Sequence, residues 1–317
     1  MPLNKDLIDK IINVTSTAAM SCYKFVGKNQ KENADKAATD SMRNEINKID
    51  INGEVVIGEG ELDEAPMLYI GEKLGKGGLL NLDIAVDPVE GTNFVAKNLP
   101  GALSVISVAE KGNLFNAPET YMDKIAVSSD VPNEATDLDF PLEKNIKNIA
   151  ESLNKNVHDV TVCLLDRPRH KKIIDKLKEM RVKMRLITDG DVLGALMVTE
   201  KKFNTDIFLG IGGGPEGVLA ASAIDAYGCK FQGRFIFEND TDISRAKKMG
   251  IVDLEKKYDL KEIVKGDSIF CATGITSGEL VKGIKFKDKK YITETLVTHK
   301  GSNMCKIVVR EDTIKTW

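Results

Sequence analysis

Between residues 159 and 227 the chain alternates between two kinds of segment, and that alternation narrows the folds open to it. Strand-like 159–165 is followed by helix-like 168–180, strand-like 184–188, a helix near 191–200, strand-like 206–211 and a helix over 215–227. This is the order of βαβ units, whose parallel strands need long crossovers, so an α/β lobe with a partly parallel sheet is expected. The earlier chain has a different rhythm. Leu7, Ile8, Ile11, Ile12 and Val14, followed by small residues and a possible Gly27 cap, predict a helix over 3–26 that packs closely against a neighbour. Ala34, Ala37, Ala38, Met42 and Ile46 predict a second helix over 33–48, with Asp35 near its favoured N-terminal end. Segments 54–57 and 82–86 read as short strands. In the latter, Leu82, Ile84 and Val86 face one way and Asp83, Ala85 and Asp87 the other, with Asp87 at the exit. Segments 102–109 and 114–118 flank Lys111-Gly112-Asn113 and predict a hairpin. The acidic, proline-marked stretch 130–141 is the expected connection between an N-terminal lobe, 1–140, and a C-terminal lobe, 141–317.

A chain of 317 residues that is 42% hydrophobic can bury a full core without covalent staples. Its five cysteines lie far apart, in no spacing that suits zinc or a disulfide framework, and read as buried thiols. A net charge of −3 with no dense basic block argues against a nucleic-acid partner, because that affinity rests on neutralising many phosphates. The first residues carry Lys5, Asp6, Asp9 and Lys10 among the apolar ones, and no apolar run reaches membrane-spanning length. No membrane partner and a cytoplasmic location are the expectations.

The segment Asp87-Pro88-Val89-Glu90-Gly91-Thr92 sets two carboxylates three positions apart where Pro88 restrains the backbone and Gly91 permits an unusual turn. Both carboxylates, with the Val89 carbonyl, suit a hard divalent cation, and a helix beginning at Thr92 would offer free N–H groups to a phosphate. An ordinary acidic strand-to-helix turn is the alternative. Glu59 follows a strand and a glycine, so its carboxylate is expected beside Asp87. Glu61, Asp63 and Glu64 read better as a solvated acidic loop. Residues 210–217, Gly-Ile-Gly-Gly-Gly-Pro-Glu-Gly, follow a strand and open a helix, as an anion-binding loop does. Pro215 stands where a dinucleotide fingerprint needs its third glycine, and no Gly-Lys-Ser/Thr ending makes a P-loop. Glu216, in the first turn, is either a metal ligand or a dipole-stabilising carboxylate. Arg167, Arg169, His170 and Lys171 form a basic group that suits a phosphate or, equally, a solvated helix start. His158 and His299 read as surface or core residues, and no Ser/His/Asp or Cys/His relay is visible.

Taken whole, Asp87-Pro88-Val89-Glu90-Gly91-Thr92 is similar to the signature of the lithium-sensitive phosphatase superfamily. Val55 to Met67, Arg167-Pro168-Arg169-His170, Thr188-Asp189-Gly190-Asp191 and Gly212 to Gly217 resemble, in order, segments of the class II fructose-1,6-bisphosphatases. The tryptophan-aspartate motif of inositol monophosphatases is missing, and Gly214-Pro215-Glu216-Gly217 stands in its place. The resemblance implies a layered α/β/α/β/α sugar-phosphatase fold of two closely docked lobes, the N-terminal one binding metal and the C-terminal one substrate. It implies two or more Mn²⁺ or Mg²⁺ ions on Asp35, Glu59, Asp87, Val89, Glu90 and Glu216. On spacing alone Asp35 would be an exposed helix carboxylate. Substrate contacts are implied for Glu90, Gly91, Thr92, Tyr121, Arg167, Pro168, Arg169, Asp189, Gly190, Asp191 and Gly213. Asp189 and Asp191, being anionic, should accept hydrogen bonds from sugar hydroxyls. Thr92, linked to Asp35, would activate the water that attacks the 1-phosphate of fructose 1,6-bisphosphate, a gluconeogenic step, without a phosphoenzyme. Sedoheptulose-1,7-bisphosphatase and inositol monophosphatase activities are the rivals within the class, and a catalytically silent sugar-phosphate sensor is the rival outside it. A homo-oligomer, dimer or tetramer, is the family expectation.

Overall fold

The computed structural model describes residues 3–59 and 67–313. Its first helix, α1 (Lys5–Tyr23), starts where the Asn4 side chain accepts the Leu7 N–H at 3.0 Å. Residues Thr15 to Cys22, small except for Met20, are all buried, as close packing requires. Helix α2 (Lys31–Ile46) packs on α1, and strand β1 (Asn52–Ile57) follows it. Next come β2 (Lys73–Leu74), β3 (Asn81–Glu90), the short helix α3 (Thr92–Lys97) and β4 (Leu103–Glu110). Leu82, Ile84 and Val86 enter the core with α1 and α2, so the expected alternation of β3 holds.

The expected partner of β4 does not. Among the described residues, 114–118 contributes a single bridge, Leu114 with Val264, and forms no hairpin strand. The buried Asp83 carboxylate accepts the N–H of Gly112 at 2.7 Å and of Leu114 at 3.1 Å, tying the chain after β4 back towards β3.

Strand β5 (Tyr121–Val127), which no sequence pattern singled out, opens the second unit and lies inside its sheet. There follow α4 (Leu142–Ser152), β6 (Thr161–Leu165), α5 (Lys171–Glu179), β7 (Lys183–Ile187), α6 (Asp191–Leu196), β8 (Ile207–Gly213), α7 (Gly214–Asp225) and β9 (Lys230–Ile236). Helix α8 (Asp240–Lys248), β10 (Tyr258–Asp259) and α9 (Leu260–Ile263) complete it. The sheet order is β10-β9-β5-β8-β6-β7. β6 runs parallel to β7 and β8, as the βαβ rhythm predicts, whereas β5 is antiparallel to β8 and β9. Ile125, Val127, Val162, Leu164, Ile207 and Leu209 pack with α4 and α5 on one face. On the other face Gly194 of α6 abuts Phe208, and Gly217 of α7 abuts Met122 and Lys124. The central strands β5, β6 and β8 are therefore largely buried on both sides, as strands covered by helices are, whereas the edge strand β7 is not.

Strands β11 (Ser268–Gly274), β12 (Lys285–Lys287), β13 (Lys290–His299) and β14 (Met304–Thr313) then return to the first unit. They complete an eight-stranded sheet ordered β12-β13-β11-β4-β3-β1-β2, with β14 on β13. β11 occupies the edge of β4 that is not taken by β3, which is why 114–118 could not pair there. The Thr273 hydroxyl meets Thr15 and Thr295, each at 2.7 Å, joining α1 to this returning segment.

The two compact units are thus residues 1–115 with 264–317, and residues 116–263. The boundary expected at residue 140 lies inside the second unit. The stretch 130–141 is packed rather than a linker: Val131 and Ala135 are core residues, and Asn145 bonds both the N–H and the carbonyl of Asp137. Two mixed sheets with their helices make the protein α/β, as expected. Four of the five cysteines are buried and Cys305 is exposed. Among the described residues no helix is long and apolar enough to cross a membrane.

Candidate active site

In the first unit β3 does not stop at Asp87 but continues through Glu90, with a register shift between them: Asp87 pairs with Val105 and Glu90 with Leu103. Three steps on β3 oppose two on β4, so one residue is inserted, where Pro88 has no N–H for the ladder. In a regular strand, residues three apart face opposite ways. Here the insertion returns Val89 to the core with Leu82, Ile84 and Val86, and leaves Asp87 and Glu90 on the same face. The bulge therefore does what the sequence reading assigned to a bent loop.

Gly91 follows at φ 81°, a left-handed conformation that an L residue adopts only with strain, and its carbonyl accepts the Phe94 N–H at 2.8 Å to start α3. The Thr92 hydroxyl lies 3.2 Å from the Val89 carbonyl and also hydrogen-bonds the Asp35 side chain. Its single proton, donated to the Val89 carbonyl in this geometry, can serve only one of these acceptors at a time, and a charged carboxylate is the stronger of the two. Asp35, on α2, has its carboxyl pushed up to about 6 by burial, against the opposing Thr92 bond and the nearby Lys31 ammonium. Its Oδ1 is buried with no hydrogen-bond partner. Glu59 lies two residues beyond β1, which runs parallel to β3 with Ile57 opposite Ala85, and its N–H donates to the Leu68 carbonyl at 2.9 Å. Glu61, Asp63 and Glu64 lie outside the described residues.

An orphaned buried carboxylate oxygen and an all-oxygen donor set suit a hard divalent ion. Among the described residues, however, no three of His, Cys, Asp and Glu are grouped closely enough to hold an ion as they stand.

The second unit gathers most of the residues implied for substrate. Tyr121 pairs with Gly213 across β5 and β8. The Arg169 guanidinium stacks on the Tyr121 ring at 4.8 Å and donates to the Ile211 carbonyl at 2.8 Å, while Arg167 reaches Asp189 at 3.5 Å. Pro168 begins the single helical turn that precedes α5, and Gly190, at φ 91°, caps α6, whose first residue is Asp191.

His170 is not part of the basic group. It is fully buried, its Nε2 accepts the Ile211 N–H at 2.8 Å, and its Nδ1 donates to the Leu165 carbonyl at 2.7 Å. That pair of bonds specifies one neutral tautomer and makes His170 a brace between β6 and β8. Lys171 pairs with Asp175 at the surface. His158 is exposed and His299 is buried between Asp267 and Ser302, as expected of surface and core residues.

Sequence reasoning missed Lys124. Its side chain has no exposed area, and its ammonium is paired with Asp191 Oδ2 and donates to the Gly213 carbonyl at 2.8 Å. An unpaired ammonium there would cost several kcal/mol, so the Asp191 charge is part of what lets this interior exist. Glu216 lies near the same ammonium; burial raises its carboxyl, against the lowering effect of Lys124. The glycines before α7 make room for these carboxylates. A Cβ on Gly212 would stand 1.8 Å from Asp191 Oδ2, and one on Gly213 would stand 1.7 Å from Glu216 Oε2. The signal was available in Met122-Asp123-Lys124-Ile125-Ala126, where a lysine shares the face of Met122 and Ala126.

The family model for bacterial, glpX-encoded fructose-1,6-bisphosphatase matches residues 5–312. A Synechococcus protein described as D-fructose 1,6-bisphosphatase class 2/sedoheptulose 1,7-bisphosphatase is 39% identical, the match covering 94% of this chain and 93% of that one. A Trichodesmium erythraeum protein of the same description is 38% identical, covering 94% of both chains. Among solved structures, an extragenic suppressor protein suhB from Bartonella henselae is similar over 62% of this chain and 73% of its own, at 11% identity and a TM-score of 0.36, too distant a likeness to carry weight.

Proposed function

The chain belongs to the bacterial, glpX-encoded fructose-1,6-bisphosphatase family, and from that membership we propose that it hydrolyses the 1-phosphate of fructose 1,6-bisphosphate, releasing fructose 6-phosphate and inorganic phosphate. The single observation carrying this reading is the match across residues 5–312, which takes in both the Asp87-to-Thr92 bulge and the Gly212-to-Glu216 loop. The relatives' double description favours sedoheptulose 1,7-bisphosphate as a second substrate of the same site.

Asp35, Glu59, Asp87, the Val89 carbonyl and Glu90 are the first unit's donors for divalent ions, Mn²⁺ or Mg²⁺, and Glu216 is an oxygen donor of the same kind in the second. Ions so held would supply Lewis acidity to the phosphate and acidify water. The remaining work falls to the chain. When Thr92 donates its proton to Asp35, the lone pairs of its Oγ1 are left to accept a hydrogen bond from the attacking water and orient it. The backbone N–H groups of Gly91 and Thr92 suit the equatorial phosphate oxygens. The Arg167 and Arg169 guanidiniums suit the second phosphate, with Tyr121 beneath Arg169 limiting its freedom. Asp189 and Asp191 accept from sugar hydroxyls. The substrate is a small sugar bisphosphate; no nucleic-acid or membrane partner, a cytoplasmic location and a homo-oligomer complete the proposal.

The test is phosphate release from fructose 1,6-bisphosphate with Mn²⁺, with Mg²⁺ and after chelation, alongside Asp87→Ala. Metal-dependent release that Asp87→Ala abolishes is expected. A folded protein that releases no phosphate with either metal sinks the proposal, and comparison with sedoheptulose 1,7-bisphosphate decides the second substrate.

A further inference from the structure

Lys124 is the one fully buried lysine in the second unit's core, and its ammonium holds the Asp191 carboxylate, assigned above to a sugar hydroxyl, and the carbonyl of Gly213, an implied substrate contact. It holds only one of the two Asp191 oxygens. Asp191 Oδ1 is buried and has no hydrogen-bond partner among the described residues. A buried carboxylate oxygen without a donor is costly, and it is tolerated where a ligand supplies the missing donor.

The surroundings leave the carboxylate little freedom to turn. Gly212 lies against Oδ2 so closely that a Cβ would collide with it, and Gly213, fixed by its own carbonyl bond to Lys124, follows directly. Asp191 is also the first residue of α6, so its backbone is held by the helix behind Gly190. An ammonium with three donors and no acceptor keeps its partner an anion, and an anionic carboxylate accepts but cannot donate. The free oxygen is thus an acceptor of fixed position.

Resting on the phosphatase reading, we propose that Lys124 is a positioning residue for sugar recognition: by pinning Asp191 Oδ2 and the Gly213 carbonyl it keeps Asp191 Oδ1 aimed as an acceptor for one substrate hydroxyl. Lys124 itself touches no substrate. Without it, Asp191 Oδ2 and the Gly213 carbonyl would lose their shared donor, and nothing would hold Oδ1 toward the hydroxyl.

The experiment compares wild type with Lys124→Met, which keeps the length of the side chain and removes the charge. Calorimetric titration with fructose 6-phosphate and its monodeoxy analogues, under chelation, reads binding apart from turnover. In the wild type, loss of the recognised hydroxyl is expected to weaken binding by about 10- to 100-fold, the range for a hydrogen bond to a charged group. In Lys124→Met the parent and that analogue should bind within about threefold of each other. With metal present, KM for fructose 1,6-bisphosphate should rise about tenfold or more while kcat changes less than about threefold, the pattern of lost uniform binding.

A Lys124→Met protein that keeps the wild-type preference for the hydroxyl overturns the inference and leaves the phosphatase reading intact. A wild type that neither releases phosphate nor binds fructose 6-phosphate overturns both. Should Lys124→Met fail to fold, isotope-labelled lysine in the wild type decides. The protected Lys124 ammonium signal must shift on saturation with fructose 6-phosphate and not with the monodeoxy analogue at saturation; equal shifts with both overturn the inference.

Discussion

Thr92 and His170 illustrate how little a residue's type says about its work until its partners are known. Thr92 has its hydroxyl between the Val89 carbonyl and the Asp35 side chain and sits in the first turn of a six-residue helix, so replacing it changes chemistry more than packing. Thr92→Ala is expected to lower kcat by about 10²- to 10⁴-fold, the range for a lost proton-handling group, with the thermal midpoint nearly unmoved. Thr92→Ser, which keeps the hydroxyl, should retain measurable turnover. An Ala variant with unimpaired kcat removes Thr92 from the reaction. His170 predicts the reverse. Its loss in His170→Ala takes the acceptor from the Ile211 N–H, leaves the Leu165 carbonyl with the Arg167 N–H at 3.0 Å, and opens a cavity, costing about 2–4 kcal/mol of stability in a urea titration. A variant as stable as wild type would refute the brace.

Among elements, the bulge in β3 and the glycine run before α7 carry the site. Each breaks the regularity of a strand to bring side chains onto one face or to make room for them. Gly212→Ala asks Asp191 Oδ2 to retreat from a 1.8 Å approach, so KM for the sugar bisphosphate should rise tenfold or more, and overpacking of this kind costs about 1–3 kcal/mol. Gly112→Ala is the matched control. Gly112 has nothing within 4 Å of a new Cβ and only its positive φ to lose, so about 1 kcal/mol of stability should go with no change in KM. Equal KM for both variants would show that the space at Gly212 does not serve Asp191. The alternation of Leu82, Ile84 and Val86 was legible because it repeats within a few residues. The shift that returns Val89 to the core was not, because it depends on Leu103 and Val105 holding the other side of the ladder.

For the whole molecule, the division into a continuous and a discontinuous unit has a direct test. Residues 116–263 contain a complete six-stranded sheet with helices on both faces, and a fragment of that length should fold alone with a cooperative thermal transition. Residues 1–115 lack β11, which pairs with β4 along seven residues and brings Ile269 and Cys271 to the core, so that fragment should stay unfolded until 264–317 is supplied. Circular dichroism melts of the separate and mixed fragments check both statements. A cooperative transition in 1–115 alone would contradict them.

By itself the sequence determined what neighbouring residues can settle: the amphipathic helices, the βαβ rhythm of 159–227, the oxygen-rich chemistry of Asp87 to Thr92, and family membership through motifs kept in order along the chain. Tertiary structure decided which segments share a unit, where 264–317 returns, and which face receives Glu90. It also decided that a lysine can be buried. The reason is physical: propensity and periodicity act over a few residues, whereas Lys124 and Asp191 stand 67 positions apart, and the burial of either charge is supportable only once folding has brought the other beside it.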